Sequence, residues 1–181
     1  NNWSELTEFF ADVIGVTAEY DALMEDYQER IDTFNELKNP VYDGMSLVYV
    51  QDAAGTNYVG LPGLPLWETI LDAGFVPVDT LPTTPEESLE EFGTLIVELS
   101  EEQLSLLNAD VIILVNGNIN RDDHDTATTI IEGYLSDPLW ATLEAVENDR
   151  LFAKAVYWQS NGLVSVHAVI DDLFADFVDD D

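Results

Sequence analysis

Apolar residues recur every three or four positions between residues 3 and 38, and this spacing predicts two helices that are separated near Gly15. The second helix begins at Thr17 and would be about 20 residues long, roughly 30 Å at 1.5 Å per residue. Asn39-Pro40 ends it, because the residue before a proline disfavours the helical conformation. A helix with this much apolar periodicity has to pack on something, either the rest of the chain or protein outside it.

After residue 40, short apolar runs alternate with helical segments. The predicted strands cover 46–50, 75–78, 95–99, 111–115 and 151–156, and the predicted helices cover 66–73, 100–107, 126–135, 138–146 and 163–178. A Gly-rich loop follows the first strand. The alternation predicts the α/β class, as a single three-layer lobe in which helices cover a mostly parallel sheet. The predicted divisions are a helical arm over 1–39, an α/β lobe over 40–178 and an acidic tail over 179–181.

The net charge of the chain limits the classes of partner that it can bind. Among 181 residues, 37 are Asp or Glu and 5 are Lys or Arg, which gives a formal net charge of −32. No basic stripe is possible, so nucleic acid is excluded as a partner, and an anionic membrane surface would repel the chain. The acids either solvate a surface adapted to saline surroundings or match a basic partner. Their spread along the whole chain favours the first explanation.

No motif for catalysis or for a bound metal is present. GLPGLP places prolines where a phosphate-binding loop needs backbone N–H groups, and His124 and His167 have no spaced partner ligands. The chain has no cysteine, which excludes a disulfide framework and a thiolate nucleophile, and it contains no apolar run of 18 residues. An enzyme is therefore possible, but nothing in the sequence favours one.

Four stretches together resemble one protein family. LSDPLWATLEAVENDRLFAKAVYW is the most specific, because it is similar to the DPLW passage that leads into the family's last strand, here with Asp137, Trp140 and Arg150 in place. ELSEEQLSLLNADVIILV, VIGVTAEYDALMEDYQERIDTFNEL and VSVHAVIDDLFADF resemble its serine–glutamate element, its interlobe helix and its terminal helix. The chain thus resembles the interlobe helix and C-terminal lobe of the iron-siderophore substrate-binding proteins of ABC transporters, a group that also includes vitamin B12 and haem binders.

This resemblance implies a two-lobed protein that holds a ferric siderophore between its lobes and delivers it to a permease. Such a protein performs no chemistry and needs no metal site or cofactor of its own. We expect an exported monomer, in the periplasm or lipid-anchored at the outer face of the cytoplasmic membrane, with a leader and an N-terminal lobe ahead of this chain. The alternatives are cobalamin or haem as cargo, and a small acidic flavodoxin-like enzyme or regulatory domain.

The resemblance also implies a ligand-binding role for the aromatic end of the last strand. Trp158 matches the position from which the family presents an aromatic ring to the cleft, with Tyr157 and Gln159 beside it. An indole offers a flat apolar surface and one N–H donor, which suit an organic chelate with carbonyl oxygens. The alternative is that Trp158 closes the local core. Adjacent strand residues face opposite sides, so Trp158 is favoured over Tyr157.

Further ligand candidates lie in the loops after other predicted strands. Tyr58 follows the first strand, with Asn57 beside it, and Asn116 and Asn118 follow the strand at 111–115. Arg121 is the arginine of a cleft-side loop, where it could contact an anionic chelate. The scarcity of basic residues favours a neutral or hydroxamate-type chelate over a highly anionic catecholate, unless the other lobe supplies the charge.

Glu102 is the candidate for permease docking. The family docks through one exposed glutamate in each lobe, and Glu102 in ELSEEQL matches that position. A carboxylate in the first turn of a helix also interacts favourably with the helix dipole, and the two roles are compatible. An exposed ion pair is individually weak, so we expect it to set orientation more than affinity.

Overall fold

The computed structural model describes residues 3–121, 123–160 and 162–178. Its helices are α1 (Trp3–Ile14), α2 (Thr17–Leu37), α3 (Leu66–Asp72), α4 (Pro85–Glu91), α5 (His124–Leu135), α6 (Glu144–Glu147) and α7 (Leu163–Phe177). Its strands are β1 (Ser46–Ala53), β2 (Thr56–Gly60), β3 (Val76–Pro77), β4 (Ile96–Leu99), β5 (Val111–Asn116) and β6 (Leu151–Lys154). Short 3-10 helices cover Pro40–Tyr42, Glu101–Leu107, Trp140–Thr142 and Val156–Gln159. The two helices predicted before residue 38 are confirmed.

The described strands form one mixed sheet in the order β4-β2-β1-β5-β6, with β3 paired to the start of β1. β1 is parallel to β3 and β5, and β5 is parallel to β6, whereas β2 is antiparallel to both β1 and β4. Five of these strands therefore point in one direction and β2 points in the other. The predicted α/β class is confirmed, and the carboxyl ends of β1, β4, β5 and β6 meet at the same edge of the sheet.

The segment after β1 is a hairpin, so the prediction of a plain loop there is wrong for β2. Ala54 and Gly55 both have positive φ, 55° and 85°, as in the tight turns that join antiparallel strands. The Asp52 carboxylate accepts a hydrogen bond from the Gly55 N–H at 3.1 Å. The turn places Thr56 and Asn57 directly beside the carboxyl end of β1, where they pair with Ala53 and Asp52.

Two predicted helices differ from the structure. The segment predicted at 100–107 is a 3-10 helix, opened by a reciprocal hydrogen-bonding box between Ser100 and Gln103. The helix predicted at 138–146 is wrong as a continuous element, because Leu143 has an extended backbone (φ −78°, ψ 138°) between a 3-10 turn and α6. Leu143 is 2% exposed, so the break turns this side chain into the core. The last predicted strand ends at Lys154, and a 3-10 turn follows it.

The chain divides into two compact units. The first contains Asn1–Gly44, Gly63–Phe75 and Tyr157–Asp181, and the second contains Met45–Pro62 and Val76–Val156, which includes the whole sheet. The core of the second unit combines apolar side chains of β1, β2 and β5 with those of the turns and helices that cover the sheet. Its fully buried members include Val48, Val50, Val59, Leu107, Ile112, Leu114 and Ala145. The predicted boundaries at residues 39 and 178 stay a prediction.

In the first unit, α2 packs against α1 and α7. Trp3 and Tyr27 meet edge to face with their ring centres 4.9 Å apart, and Ile31 and Ile170 are buried with them. Much of the apolar face of the helical arm is thereby covered. The described residues do not cover the outer face of α1, where Phe9, Phe10, Val13 and Ile14 are between 54% and 69% exposed. None of the described helices is both long and apolar enough to cross a bilayer.

Candidate ligand site

A pair of polar side chains joins the carboxyl ends of β1 and β5. Asp52 and Asn116 are direct partners in the parallel register, and the Asn116 Nδ2 donates a hydrogen bond to the Asp52 Oδ2 at 2.7 Å. The Asn116 Oδ1 accepts from the backbone N–H of Asn118 at 2.8 Å. Asn116 is 5% exposed, so both ends of its amide are fixed by the protein. Parallel sheets bind ligands at this edge, which makes the pair the starting point of a candidate site.

Tyr134, in the last turn of α5, reaches the same edge of the sheet. Its hydroxyl donates a hydrogen bond to the Asn57 Oδ1 at 3.1 Å. Burial raises the pKa of the Tyr134 phenol above its ordinary value, and the negative charge of Asp52 and of Asp137 raises it further. The phenol therefore keeps its proton at physiological pH and remains a hydrogen-bond donor, in a place where the local potential is negative.

Two adjoining cavities open at this edge, and they share Tyr134 and Asp137. The first, of about 390 Å³, is lined by Gly55, Thr56, Asn57, Glu98, Leu99, Ser100, Glu101, Leu104, Tyr134, Asp137 and Trp140. The second, of about 300 Å³, is lined by Asp52, Thr129, Ile130, Gly133, Tyr134 and Asp137. Both volumes fall in the range of small-molecule sites, and the wall of the first is mainly polar whereas that of the second is mainly apolar.

The ionised groups around the cavities are all carboxylates. Asp52 and Asp137 line the second cavity, and Glu98, Glu101 and Asp137 line the first. Asp137 is half-buried, and its Oδ1 accepts a hydrogen bond from the Leu139 N–H at 2.8 Å. None of the described residues that line either cavity is a lysine, arginine or histidine. The Tyr134 proton is already donated to the Asn57 Oδ1, so a ligand would meet the amide N–H groups of Asn57 as donors and the Tyr134 oxygen as an acceptor, at an edge whose net charge is negative.

The structure brings some of the predicted ligand residues to this edge. Asn116 is part of it, and so is Asn57, which bonds Tyr134 and lines the larger cavity. Tyr58 lies within β2, half-buried and paired with Gln51 and Glu98 on the neighbouring strands, and it lines neither of these cavities. Its role in binding stays a prediction.

Tyr157 and Trp158 lie in the 3-10 turn after β6, in the first unit. Trp158 is fully buried, and its Nε1–H donates to the Asp172 Oδ2 at 2.6 Å. The Tyr157 hydroxyl donates to the same carboxylate oxygen. One carboxylate of α7 thus holds both polar groups that were available for a ligand, while Gln159 beside them is exposed. A ligand role for these three residues stays a prediction, and the structure gives Trp158 a packing role.

Arg121 and Glu102 are both exposed. Arg121 lies in the loop between β5 and α5, and it does not line either cavity. Glu102 lies in the 3-10 helix that follows β4, one residue beyond the cavity-lining Glu101. The exposure that docking needs is present at Glu102, and the docking role itself stays a prediction.

Sequence reasoning missed Tyr134 and Asp137. Tyr134 reads as one more apolar position of an amphipathic helix, and nothing in its spacing separates it from core residues. Asp137 stands in the DPLW stretch, which the resemblance assigns to the scaffold. The structure shows that this stretch also lines the candidate site, through Asp137 and Trp140. No group of three or more acidic or histidine side chains able to hold a metal ion occurs among the described residues.

Comparison with solved structures shows that this chain shares its fold with known proteins. No protein-family model matches the sequence, and no curated protein matches it significantly. SirA from Staphylococcus aureus superimposes with a TM-score of 0.75 at 23% identity over 96% of this chain and 64% of its own. FhuD from S. pseudintermedius has a TM-score of 0.74 at 17% identity, over 97% of this chain and 60% of its own.

PiaA, an iron uptake ABC transporter substrate-binding protein from Streptococcus pneumoniae, is also similar in its complex with ferrichrome. Its TM-score is 0.69 at 18% identity, over 96% of this chain and 56% of its own. This chain has the fold of the iron-siderophore substrate-binding proteins. It spans between 56% and 64% of the length of these three structures. Two of the similar structures, from Streptococcus pneumoniae and Listeria monocytogenes, are named as ABC transporter substrate-binding proteins.

Proposed function

We propose that the chain is part of a substrate-binding component of an ABC importer that captures a ferric siderophore between two lobes and delivers it to a permease. The observation that carries the proposal is the fold, which nearly the whole chain shares with SirA and PiaA. Both of those proteins have structures with a siderophore bound, staphyloferrin B in SirA and ferrichrome in PiaA. The chelate is cargo, so the protein needs no cofactor of its own.

Two features support a second lobe. The matched structures extend well beyond the region that this chain covers, since it spans at most 64% of any of the three. The outer face of α1 presents large apolar residues to solvent, with Phe9 61% and Ile14 69% exposed. Contiguous exposed apolar surface of this kind marks a contact with other protein. We assign that contact to the other lobe, and the edge that holds Asn116 and Tyr134 to the ligand.

The proposed task also sets the location and the partners. A component that feeds an importer has to meet its cargo outside the cytoplasmic membrane, so we propose an exported monomer, in the periplasm or lipid-anchored at the outer face of that membrane. Docking on the permease is assigned to Glu102, whose carboxylate is exposed. An ion pair at such a position would orient the two proteins and speed their encounter more than it would tighten the complex.

The test is a binding measurement on the full-length protein. Tryptophan fluorescence quenching, checked by calorimetry, is recorded with ferric hydroxamate, carboxylate and catecholate siderophores, with cobalamin and with haem. The iron-free siderophores are the matched controls. We expect saturable binding of a ferric chelate at micromolar concentration or below, equivalent to about −8 kcal/mol or better. Binding of cobalamin or haem alone would change the cargo, and binding of none of these compounds would refute the proposal.

The same assay tests the assignment of Trp158. Trp158→Phe keeps most of the buried volume while it removes the N–H that Asp172 accepts. If the ligand contacts this residue, the affinity falls while the matched variant Trp67→Phe, at another buried tryptophan, binds normally. Unchanged affinity in both variants would leave Trp158 with its packing role alone.

A further inference from the structure

The two cavities at the carboxyl edge of the sheet differ from a typical anion-binding site in the charge of the side chains that line them. Their described walls contain four carboxylates, Asp52, Glu98, Glu101 and Asp137, and no basic side chain. The second unit does possess cations, Arg121, Arg150 and Lys154, but none of them lines either cavity. A ligand seated there would meet the full negative charge of the edge.

Among these four carboxylates, Asp137 is the best placed to select among ligands by their charge. It lines both cavities, it is half-buried, and one of its oxygens is committed to the Leu139 N–H at 2.8 Å. That bond fixes the carboxylate in place at the wall of both cavities. Asp52 is more constrained, because it already accepts from both Gly55 and Asn116. The charge of Asp137 therefore acts from a fixed position on whatever enters either cavity.

The donors of the edge suit a chelate in which the charges of the iron ligands cancel that of Fe(III), as those of three hydroxamate groups do. The Tyr134 hydroxyl, which is shared by both cavities, donates its proton to the Asn57 Oδ1 and so holds that amide in place, and the Asn57 side chain presents its amide N–H groups. Such groups can bond hydroxamate and amide oxygens without any compensating cation. This edge would instead repel a catecholate or carboxylate chelate with several negative charges, because no arginine or lysine is found among the described residues that line the two cavities.

We propose that this edge selects ferric chelates without net negative charge, favours those that bear an ammonium group, and does so mainly through Asp137. This inference rests on the proposed function and names the chemical class of its ligand. It does not follow from the fold, since neighbours with the same fold bind chelates as different as staphyloferrin B and ferrichrome. The selection resides in side chains of this chain.

The experiment uses three ferric chelates that differ in charge at one remote position. Ferrioxamine B has a free ammonium group, its N-acetyl derivative has no net charge, and its N-succinyl derivative has a carboxylate there. The iron centre is the same in all three. On the full-length protein at low salt, we expect the affinity to fall at each step by about 3- to 10-fold, the range expected for unit charges several ångströms apart in a partly solvated site. In 1 M salt, where the Debye length is only about 3 Å, the differences should nearly disappear.

Asp137→Asn identifies the residue responsible, because asparagine keeps the oxygen that accepts from Leu139. We expect the ammonium form to bind about 3-fold more weakly, the succinyl form about 3-fold more tightly, and the acetyl form unchanged, as loss of one charge predicts. Asp149→Asn is the matched control, since this exposed residue lies just before the start of β6, at the opposite edge, and asparagine tolerates its positive φ of 57°. The exposed Glu101→Gln provides a second variant that leaves the core intact.

The outcomes separate this inference from the proposed function. If the succinyl form, or a multiply charged catecholate, binds as tightly as the acetyl form, the selection does not exist although the binding function stands. If the ratios of affinity among the three chelates stay those of the unmodified protein in both Asp137→Asn and Glu101→Gln, the assignment to these residues is overturned. If no ferric chelate binds, the proposed function fails and this inference fails with it.

Discussion

The two edges of the sheet in the second unit carry similar polar residues and use them differently. At the amino edge, the Ser46 N–H and hydroxyl both donate to the Asp110 Oδ2, at 2.8 and 2.6 Å, and the Asp110 N–H donates back to the Ser46 Oγ at 3.0 Å. At the carboxyl edge, Asp52 and Asn116 also pair across β1 and β5, but two cavities adjoin them. At the amino edge the polar groups bond to each other, whereas at the carboxyl edge the paired polar groups lie beside the two cavities.

This difference shows why residue type alone does not identify a site. A serine–aspartate pair and an asparagine–aspartate pair are equally suited to bind a ligand. At the amino edge, however, each group is matched by its neighbour on the adjacent strand, so the pair contributes to stability. At the carboxyl edge the turn at Gly55 and the end of α5 hold the walls apart, and the same chemistry becomes accessible.

The largest effect is expected from Asn116→Asp, which would give the carboxyl edge two facing carboxylates. The Asn116 Nδ2 now donates to Asp52 at 2.7 Å, and the substitution replaces that bond with repulsion at a buried position. We expect a loss of about 1–3 kcal/mol in the free energy of unfolding at pH 7, the usual cost of an unsatisfied buried polar group. Urea denaturation measures it.

The pH dependence of this variant gives an internal check. Burial and the charge of Asp52 would raise the pKa of the introduced carboxyl above its unfolded value, so the folded state would bind a proton more tightly. The loss of stability should therefore shrink as the pH falls below that raised pKa. Asn120→Asp, at an exposed position of the following loop, is the control and should change stability little. A loss that is independent of pH would contradict the paired geometry.

Some of this comparison could be predicted from the sequence. The run VIILV identifies β5 because it is uniformly apolar, and all six residues of the strand are buried. Asn116 follows this run directly, so its position at the carboxyl edge of the sheet can be predicted from the sequence. β2 could not be predicted in the same way. The turn before it places Ala54, rather than asparagine or glycine, at positive φ, so the usual sequence signal of a hairpin is missing.

The candidate site was less predictable than the fold, for a physical reason. Tyr134 and Asn57 are 77 positions apart in the chain and meet only because α5 packs over the sheet. Trp158 shows the opposite difficulty, since its aromatic ring suits a ligand but Asp172, 14 positions later, already accepts its N–H. Whether a polar group is free depends on tertiary partners, which neither composition nor spacing reveals.

A smaller effect is expected from Tyr134→Phe, which keeps the ring at the carboxyl edge and removes its hydroxyl. The Asn57 Oδ1 loses its donor, so the Asn57 amide is no longer held in place for the proposed ligand, and the ligand also loses the Tyr134 oxygen as a hydrogen-bond acceptor. We expect affinity for a bound ferric chelate to fall about 3- to 10-fold, corresponding to one hydrogen bond worth 0.5–1.5 kcal/mol. The folded protein should lose no more than about 1 kcal/mol. Fluorescence quenching and urea denaturation separate the two.

Tyr42→Phe is the matched control for this measurement. Tyr42 belongs to the first unit, and its ring packs edge to face on Phe177 with centres 4.9 Å apart, a contact that phenylalanine retains. Its affinity for the chelate should equal that of the unmodified protein. If Tyr134→Phe also binds normally, the carboxyl edge is not the ligand site, and the contrast between the two edges has no functional meaning.

The smallest effect is expected from Ser46→Ala, which removes the hydrogen bonds of the Ser46 hydroxyl at the amino edge and leaves the backbone there unchanged. The hydroxyl of Ser46 is the main cause of the lowered pKa of Asp110, and the Ser46 N–H and the charge of Arg150 lower it further. A carboxyl with a lowered folded pKa adds stability above its unfolded pKa of about 3.9, and that stability disappears as the pH falls through the folded value. The variant should therefore lose about 1 kcal/mol at pH 7, one hydrogen bond, and almost nothing in acid. Urea denaturation across this range, with the exposed Ser105→Ala as control, measures the loss. Ligand affinity should not change, because these residues line neither cavity.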